Sequence, residues 1–157
     1  MIGNETKEVL NILLVKLFND ILKIEEKSLK EGEFLDLTVT EMHIIEAIGI
    51  EKEKTMSEIA SDLNITVGTL TTAINRLIKK EYVYRRRIEE DRRVVLVMLT
   101  DTGKKAYESH ANFHDDMIQG VLEELSQSEE VVLVQSLKKL TNFFEAKYSL
   151  KNSEDKR

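Results

Sequence analysis

The sequence predicts a mostly α-helical chain of α+β class, in which a helix-turn-helix and a β-hairpin are set between long helices. Three observations carry that prediction. There is no proline and only 6 glycines among 157 residues, and Leu, Ile, Lys and Glu abound, a composition that sustains long helices and leaves little for an all-β fold. The stretch TMSEIASDLNITVGTLTTAINRLIKKEYV, from Thr55 to Val83, holds two short apolar periodicities split by a turn. Helical spacing then stops, and YVYRRRIEEDRRVVLVML, from Tyr82 to Leu99, sets β-branched and aromatic residues on either side of a charged centre, the pattern of a hairpin.

In order along the chain, EVLNILLVKLFNDILKIEEKSLKEG places Leu10, Leu13, Leu14, Leu17, Ile21 and Ile24 at steps of three and four, which predicts a long amphipathic helix ending near Gly32. Val9, Ile12, Phe18 and Leu22 widen its stripe beyond what one small core needs, so a partner chain is expected to cover it. A second helix follows in TVTEMHIIEAIG, capped by Thr38 or Thr40 and stopped by Gly49. Thr55 and Glu58 form a T-x-x-E capping box for a short helix that buries Ile59, Ala60 and Leu63. After a turn near Asn64 and Ile65, Thr66 caps a helix whose Val67, Leu70, Ile74, Leu77 and Ile78 share one face. Two short helices joined this way are a helix-turn-helix, and the hairpin beside them is a wing. Thr100 or Asp101 opens a fifth helix, and Ser128 is the expected cap of a sixth, with Val134, Leu137, Leu140, Phe144 and Tyr148 along its seam. The final KNSEDKR is expected to fray. The whole of residues 1–157 reads as a single domain, with the helix-turn-helix and wing at about 55–100 and dimerisation helices at about 4–31 and 101–149.

Charge narrows the function. The chain carries −6 overall, yet from Asn64 to Arg93 eight basic side chains face four acidic ones, a local +4 that leaves −10 to the rest. A cationic island of this kind directs one face to phosphate while the remaining surface repels non-specific contacts. Cysteine is absent, which excludes a disulfide framework, thiol zinc ligands and thiol-based oxidant sensing. No apolar run is long enough to cross a bilayer and no cleavable leader is evident, so a soluble, cytoplasmic protein with no membrane partner is expected. An enzyme is not expected, because the H-x-x-x-H pair His110 and His114 encloses no glutamate base, and neither a Gly-rich loop nor a partnered Ser or Cys nucleophile is present.

The order of elements and the segment DRRVVLVMLT, Asp91 to Thr100, resemble the MarR family of winged helix-turn-helix transcriptional regulators, and the likeness covers nearly the whole chain. Within it, TEMHIIEAIG, TVGTLTTAINRL and EEDRRVV are most similar to the FabT-type repressors of fatty-acid synthesis genes. One departure is Glu81, where many relatives close the recognition helix with glycine. The wing also lacks proline.

A helix of this type offers its side chains to base edges in the major groove, where Thr meets a thymine methyl, Asn pairs with adenine and Arg favours guanine. Thr66, Thr69, Thr71, Thr72 and Asn75 are therefore the expected readers, and Arg76, Lys79 and Arg86 join them as DNA contacts. So many threonines favour an A·T-rich operator. The resemblance implies that the wing tip enters the minor groove, so that Arg92 or Arg93 reaches DNA while Asp91 braces Arg85 on the facing strand. It also implies a homodimer whose two heads address a pseudo-palindromic site in double-stranded DNA.

Two effectors are expected as alternatives. FabT-type likeness implies a corepressor made of long-chain acyl groups on acyl carrier protein, with Leu17, Phe18, Ile21, Phe34, Met42 and Ile45 lining an effector pocket; the same residues also suit plain core. Zinc-responsive relatives imply instead a metal set of Glu25, His43, His110 and His114, with Glu26 an equal choice for the first. Paired histidines on one helix face serve equally as solvated or hydrogen-bonded groups. No cofactor is otherwise required.

Overall fold

The computed structural model describes residues 3–148, and the KNSEDKR tail expected to fray lies outside them. The chain divides into two compact units, Met1–His43 and Ile44–Arg157. The expected class is found: the described residues form six helices and one small antiparallel sheet.

The first unit is built on α1 (Asn4–Glu31), which stops at Gly32 as its sequence predicts. Pairs one turn apart, Lys16 with Asp20 and Lys30 with Glu26, brace its outer face. Glu25 is its one buried residue. The apolar stripe is left open to solvent, with Ile12 62% and Phe18 66% exposed and Leu10, Leu13, Leu17 and Leu22 alongside. At the end of this unit Thr38, and not Thr40, starts α2 (Val39–Ile48), because Glu41 stands three residues on and completes a capping box: Glu41 N–H donates to Thr38 Oγ1 at 3.2 Å, and Thr38 N–H donates to Glu41 Oε2 at 3.0 Å. The helix runs across the boundary between the units and ends at Gly49, whose φ of 70° is the left-handed turn glycine tolerates.

The second unit centres on Ile45, Ile48, Ile59, Leu70, Ile74, Leu77 and Val97, none with appreciable exposure. Its elements are β1 (Lys54–Thr55), α3 (Met56–Asp62), α4 (Val67–Lys79), β2 (Val83–Arg87), β3 (Val95–Leu99), α5 (Asp101–Glu123) and α6 (Gln127–Tyr148). The strands run in the order β1-β3-β2 with antiparallel neighbours. Strand β1, two residues long, has no hydrophobic alternation of its own and is not foreseen in the sequence; it exists because β3 offers an edge, pairing Lys54 with Val97 and Thr55 with Leu96. Thr100 caps α5, accepting from the Gly103 N–H at 3.0 Å. For α6 the cap is Ser126 and not the expected Ser128, since Ser126 has Glu129 at the capping-box spacing and bonds it through both its N–H (2.9 Å) and its hydroxyl (2.6 Å). No residue of α6 is buried. Among the described residues no helix is long and apolar enough to cross a membrane.

Candidate nucleic-acid interface

The helix-turn-helix is fixed at each joint by its own sequence. Thr55 and Glu58 make the predicted capping box at the start of α3, with bonds of 3.2 and 2.7 Å. The helix ends when Asn64 turns left-handed at φ 54°, which lets Ile65 N–H reach Ala60 O and Asn64 N–H reach Ser61 O. Asparagine tolerates that conformation better than most residues. Thr66 then caps α4, accepting from Thr69 N–H at 3.1 Å, as expected.

The buried stripe of α4 is Leu70, Ile74 and Leu77. Turned away from it, Gly68, Thr69, Thr72, Asn75, Arg76 and Lys79 are exposed, while Thr71 is half-buried. The threonine hydroxyls already have local partners: Thr66 bonds Thr69 at 2.9 Å, Thr71 donates to Val67 O at 2.8 Å and Thr72 to Gly68 O at 3.4 Å. Thr71 and Thr72 thus have their donor hydrogens engaged, and the Thr66–Thr69 pair uses one of its two. What these threonines offer outward is mainly methyl groups and acceptor lone pairs, so Asn75, Arg76 and Lys79 are the principal donors of that face toward a base or phosphate.

The wing is tied to α4 through an unusual residue. Glu81, noted above as a departure from glycine, adopts φ 66°, the conformation for which glycine is the ordinary choice. Tyr82 N–H bonds Leu77 O and Glu81 N–H bonds Ile78 O, closing the helix in a Schellman turn. Thr100 locks the same spot from the other side: its hydroxyl donates to Glu81 O at 2.6 Å and its N–H to Tyr82 O at 3.0 Å. The left-handed turn is therefore kept with a side chain in place.

From there β2 and β3 pair residue for residue, Val83 with Leu99 through Arg87 with Val95. Leu96, Val97 and Leu99 are buried on β3, while β2 beyond Val83 is exposed and carries Arg85, Arg86 and Arg87. The five arginines divide into different tasks. Arg86, expected to contact DNA, holds Glu53 in a forked ion pair, Nε to Oε1 at 3.2 Å and Nη2 to Oε2 at 2.5 Å. That carboxylate raises the Arg86 pKa above its ordinary value. The expected brace also differs. Asp91 accepts from the backbone N–H of Arg93 at 3.0 Å, and among the described residues no Arg85–Asp91 pair is formed. Asp91 therefore shapes the tip locally, with Val94 N–H on its carbonyl at 3.0 Å. Arg92 and Arg93 are exposed at that tip.

The expected effector residues fall into contrasting environments. Met42 and Ile45 have no exposed surface, whereas Leu17 and Phe18 are more than half exposed and Ile21 and Phe34 are intermediate. The first unit has an open cleft of about 540 Å³ lined by Leu22, Glu26, Leu29, Lys30, Leu35, Leu37 and Val39 among others, a set that includes none of the six. Of the two glutamates weighed for a metal, Glu25 is buried and bonds His43 at 2.7 Å, while Glu26 is exposed and pairs with Lys30. In the second unit His110, 4% exposed, has its Nε2 at 3.1 Å from His114 Nε2 and 3.7 Å from Glu46 Oε2. Glu46 was not among the expected ligands.

Comparison with known proteins gives this arrangement a context. A model of the MarR family matches residues 37–95, from the loop before α2 to the start of β3. The crystal structure of Streptococcus pneumoniae FabT in complex with DNA superposes with a TM-score of 0.86 at 36% identity, covering 89% of this chain and 98% of that one. Over 103 residues the chain is 33% identical to the HTH-type transcriptional regulator SarZ of Staphylococcus haemolyticus, covering 66% of this chain and 69% of the relative. Against the Bacillus subtilis HTH-type regulator YhjH it is 24% identical and spans about half of that protein, 53%.

Proposed function

The chain belongs to the MarR family of transcriptional regulators, and from that premise we propose that it is a DNA-binding repressor of fatty-acid biosynthesis genes. The observation that carries the proposal is the 36% identity to FabT over 98% of that protein, whose structure is a DNA complex. In this reading α4 lies in the major groove, with Thr69, Thr72 and Asn75 toward base edges and Arg76 and Lys79 toward phosphates. Arg92 and Arg93 enter the adjacent minor groove. Arg86 acts at one remove, since its fork on Glu53 holds the β2 strand that carries the wing. The open apolar faces of α1 and α6 support a homodimer, because solvent-exposed stripes of that width are costly unless covered. Two heads related by a two-fold axis then require a pseudo-palindromic operator in double-stranded DNA.

Long-chain acyl groups on acyl carrier protein are the proposed corepressor. An effector shifts DNA affinity only by binding the DNA-competent arrangement more tightly than the other. Titrating acylated carrier protein into a DNA-binding assay, with the unacylated form as control, tests this: affinity should rise with the acylated form alone. Identical curves would remove the acyl corepressor.

A second reading, zinc-responsive regulation of metal uptake genes, is favoured by His110 and His114. Ligand atoms of Glu46, His110 and His114 all lie within 4.8 Å of one another, and a nitrogen-oxygen set suits this borderline metal. Equilibrium dialysis of the wild type and His110→Ala against zinc discriminates. Micromolar binding lost in the variant supports zinc, and no binding by the wild type leaves the histidines as hydrogen-bonding partners.

A further inference from the structure

Two glycines of this chain are fixed by the fold, whereas Gly68 on the DNA-facing helix, like Gly120 in α5, has open space where a side chain would go. Gly49 adopts a left-handed φ, and a Cβ at Gly103 would sit 2.1 Å from Tyr82 O, so the fold requires both. Gly68 is different. It lies in the first turn of α4 with ordinary helical backbone, and a Cβ built there meets only Thr66 Oγ1 at 3.9 Å, a normal contact. Among the described residues nothing else fills the space, and glycine is a poorer helix former than alanine. The free protein gains nothing from glycine here.

Gly68 also occupies a particular line. Thr72, Asn75 and Lys79 follow it at four, seven and eleven residues, all exposed, so the four form one stripe along the face opposite Leu70, Ile74 and Leu77. We infer that Gly68 is the point of closest approach between α4 and DNA, its bare Cα packing against the groove so that Thr72 and Asn75 reach base edges. The inference rests on the DNA-binding reading above and deepens it by adding a specificity-determining position. The first turn is the part of such a helix that stands deepest in the major groove. A side chain there would lift the helix and withdraw the readers behind it.

The test compares wild type, Gly68→Ala and Gly68→Leu for melting temperature and for affinity to duplexes that the wild type enriches from a random-sequence pool. Gly68→Ala should melt at or above the wild-type temperature yet lose about tenfold or more in affinity for the enriched duplex, the scale of one good base contact. Gly68→Leu should lose more. Wild-type affinity in a folded Gly68→Ala overturns the inference, and so does a loss equal to the loss of stability. Asn75→Ala and Lys79→Ala keep this failure distinct from failure of the underlying reading. If they bind less tightly while Gly68→Ala does not, only the glycine's role falls. If none of the three changes binding, or the wild type enriches no duplex, the placement of α4 in the groove falls with it.

Discussion

Replacing Gly103 by alanine should destabilise the second unit at the junction that sets the wing. The added Cβ would lie 2.1 Å from Tyr82 O, 3.1 Å from Tyr82 C and 3.2 Å from Leu99 Cβ. The nearest atoms belong to backbone, which cannot swing aside as a flexible side chain does, so α5 must move off by about 1 Å to restore van der Waals distance. That movement pulls on Thr100, whose N–H bonds Tyr82 O at 3.0 Å and whose hydroxyl bonds Glu81 O at 2.6 Å. Overpacking costs about 1–3 kcal/mol and a weakened hydrogen bond about 0.5–1.5, while alanine returns nearly 1 through helix propensity. The net loss is about 0.5–3.5 kcal/mol, read as a lower urea midpoint at unchanged m. Gly68→Ala serves as the companion, since its Cβ meets nothing closer than 3.9 Å. A Gly103→Ala protein within about 0.5 kcal/mol of wild type would refute the steric reasoning, that being the ordinary range for surface substitutions.

Glu81→Gly should stabilise the protein by roughly 0.5–1 kcal/mol, because a left-handed L-residue costs about 1–2 and glycine's extra freedom in the unfolded chain returns about 0.4–1 of it; urea titration measures it, and a loss of stability would show that Glu81 makes a compensating contact. Thr55→Ala removes the hydroxyl half of a capping box, leaving the Thr55 N–H on Glu58, and should cost about 1 kcal/mol by the same assay. Glu129, held below the usual carboxylate range by the hydroxyl and N–H of Ser126, adds stability that is complete above the ordinary carboxylate pKa and is lost as pH falls through its lowered folded value. Helical content of Glu129→Gln followed by circular dichroism should therefore approach that of wild type only in acid, and parallel pH curves would contradict this. Arg92→Ala and Arg93→Ala should weaken binding to every duplex alike, whereas Asn75→Ala should change which duplex is preferred; the opposite division would exchange their roles.

What the sequence disclosed and what it hid follow from the range of the interactions involved. The capping box at Thr55 and the stop at Gly49 depend on residues within four positions of one another, the hairpin around Asp91 on a contiguous pattern, and each was legible, whereas the cap of α2 stood open between Thr38 and Thr40 although Glu41 favours Thr38. Ser126 carries the same local signal, a glutamate three residues on, but Ser128 stands nearer the apolar run and masks it. By contrast Arg86 finds Glu53 across 33 residues, and β1 forms only because β3 presents an edge to it. Neither partner has a local signature. The arginine cluster thus looked like a single cationic patch, although one of its members is engaged internally and Asp91 spends its carboxylate on the tip's own backbone. Glu46 beside His110 is likewise a product of helix packing, invisible in the H-x-x-x-H spacing. Gly68 did carry a signal, a glycine amid polar residues of a helix, but its meaning required knowing that the space beyond it is empty.

The central claim, that the exposed face of α4 reads DNA while an acidic remainder holds aloof, is tested most directly by selection from a random-sequence duplex pool with wild type and Asn75→Ala in parallel, across a series of salt concentrations. The account predicts a two-fold symmetric, A·T-rich consensus for the wild type, a changed base at one position in each half-site for the variant, and affinity that falls steeply with salt despite the net charge of −6. No consensus, or one consensus shared by both proteins with affinity indifferent to salt, would contradict it.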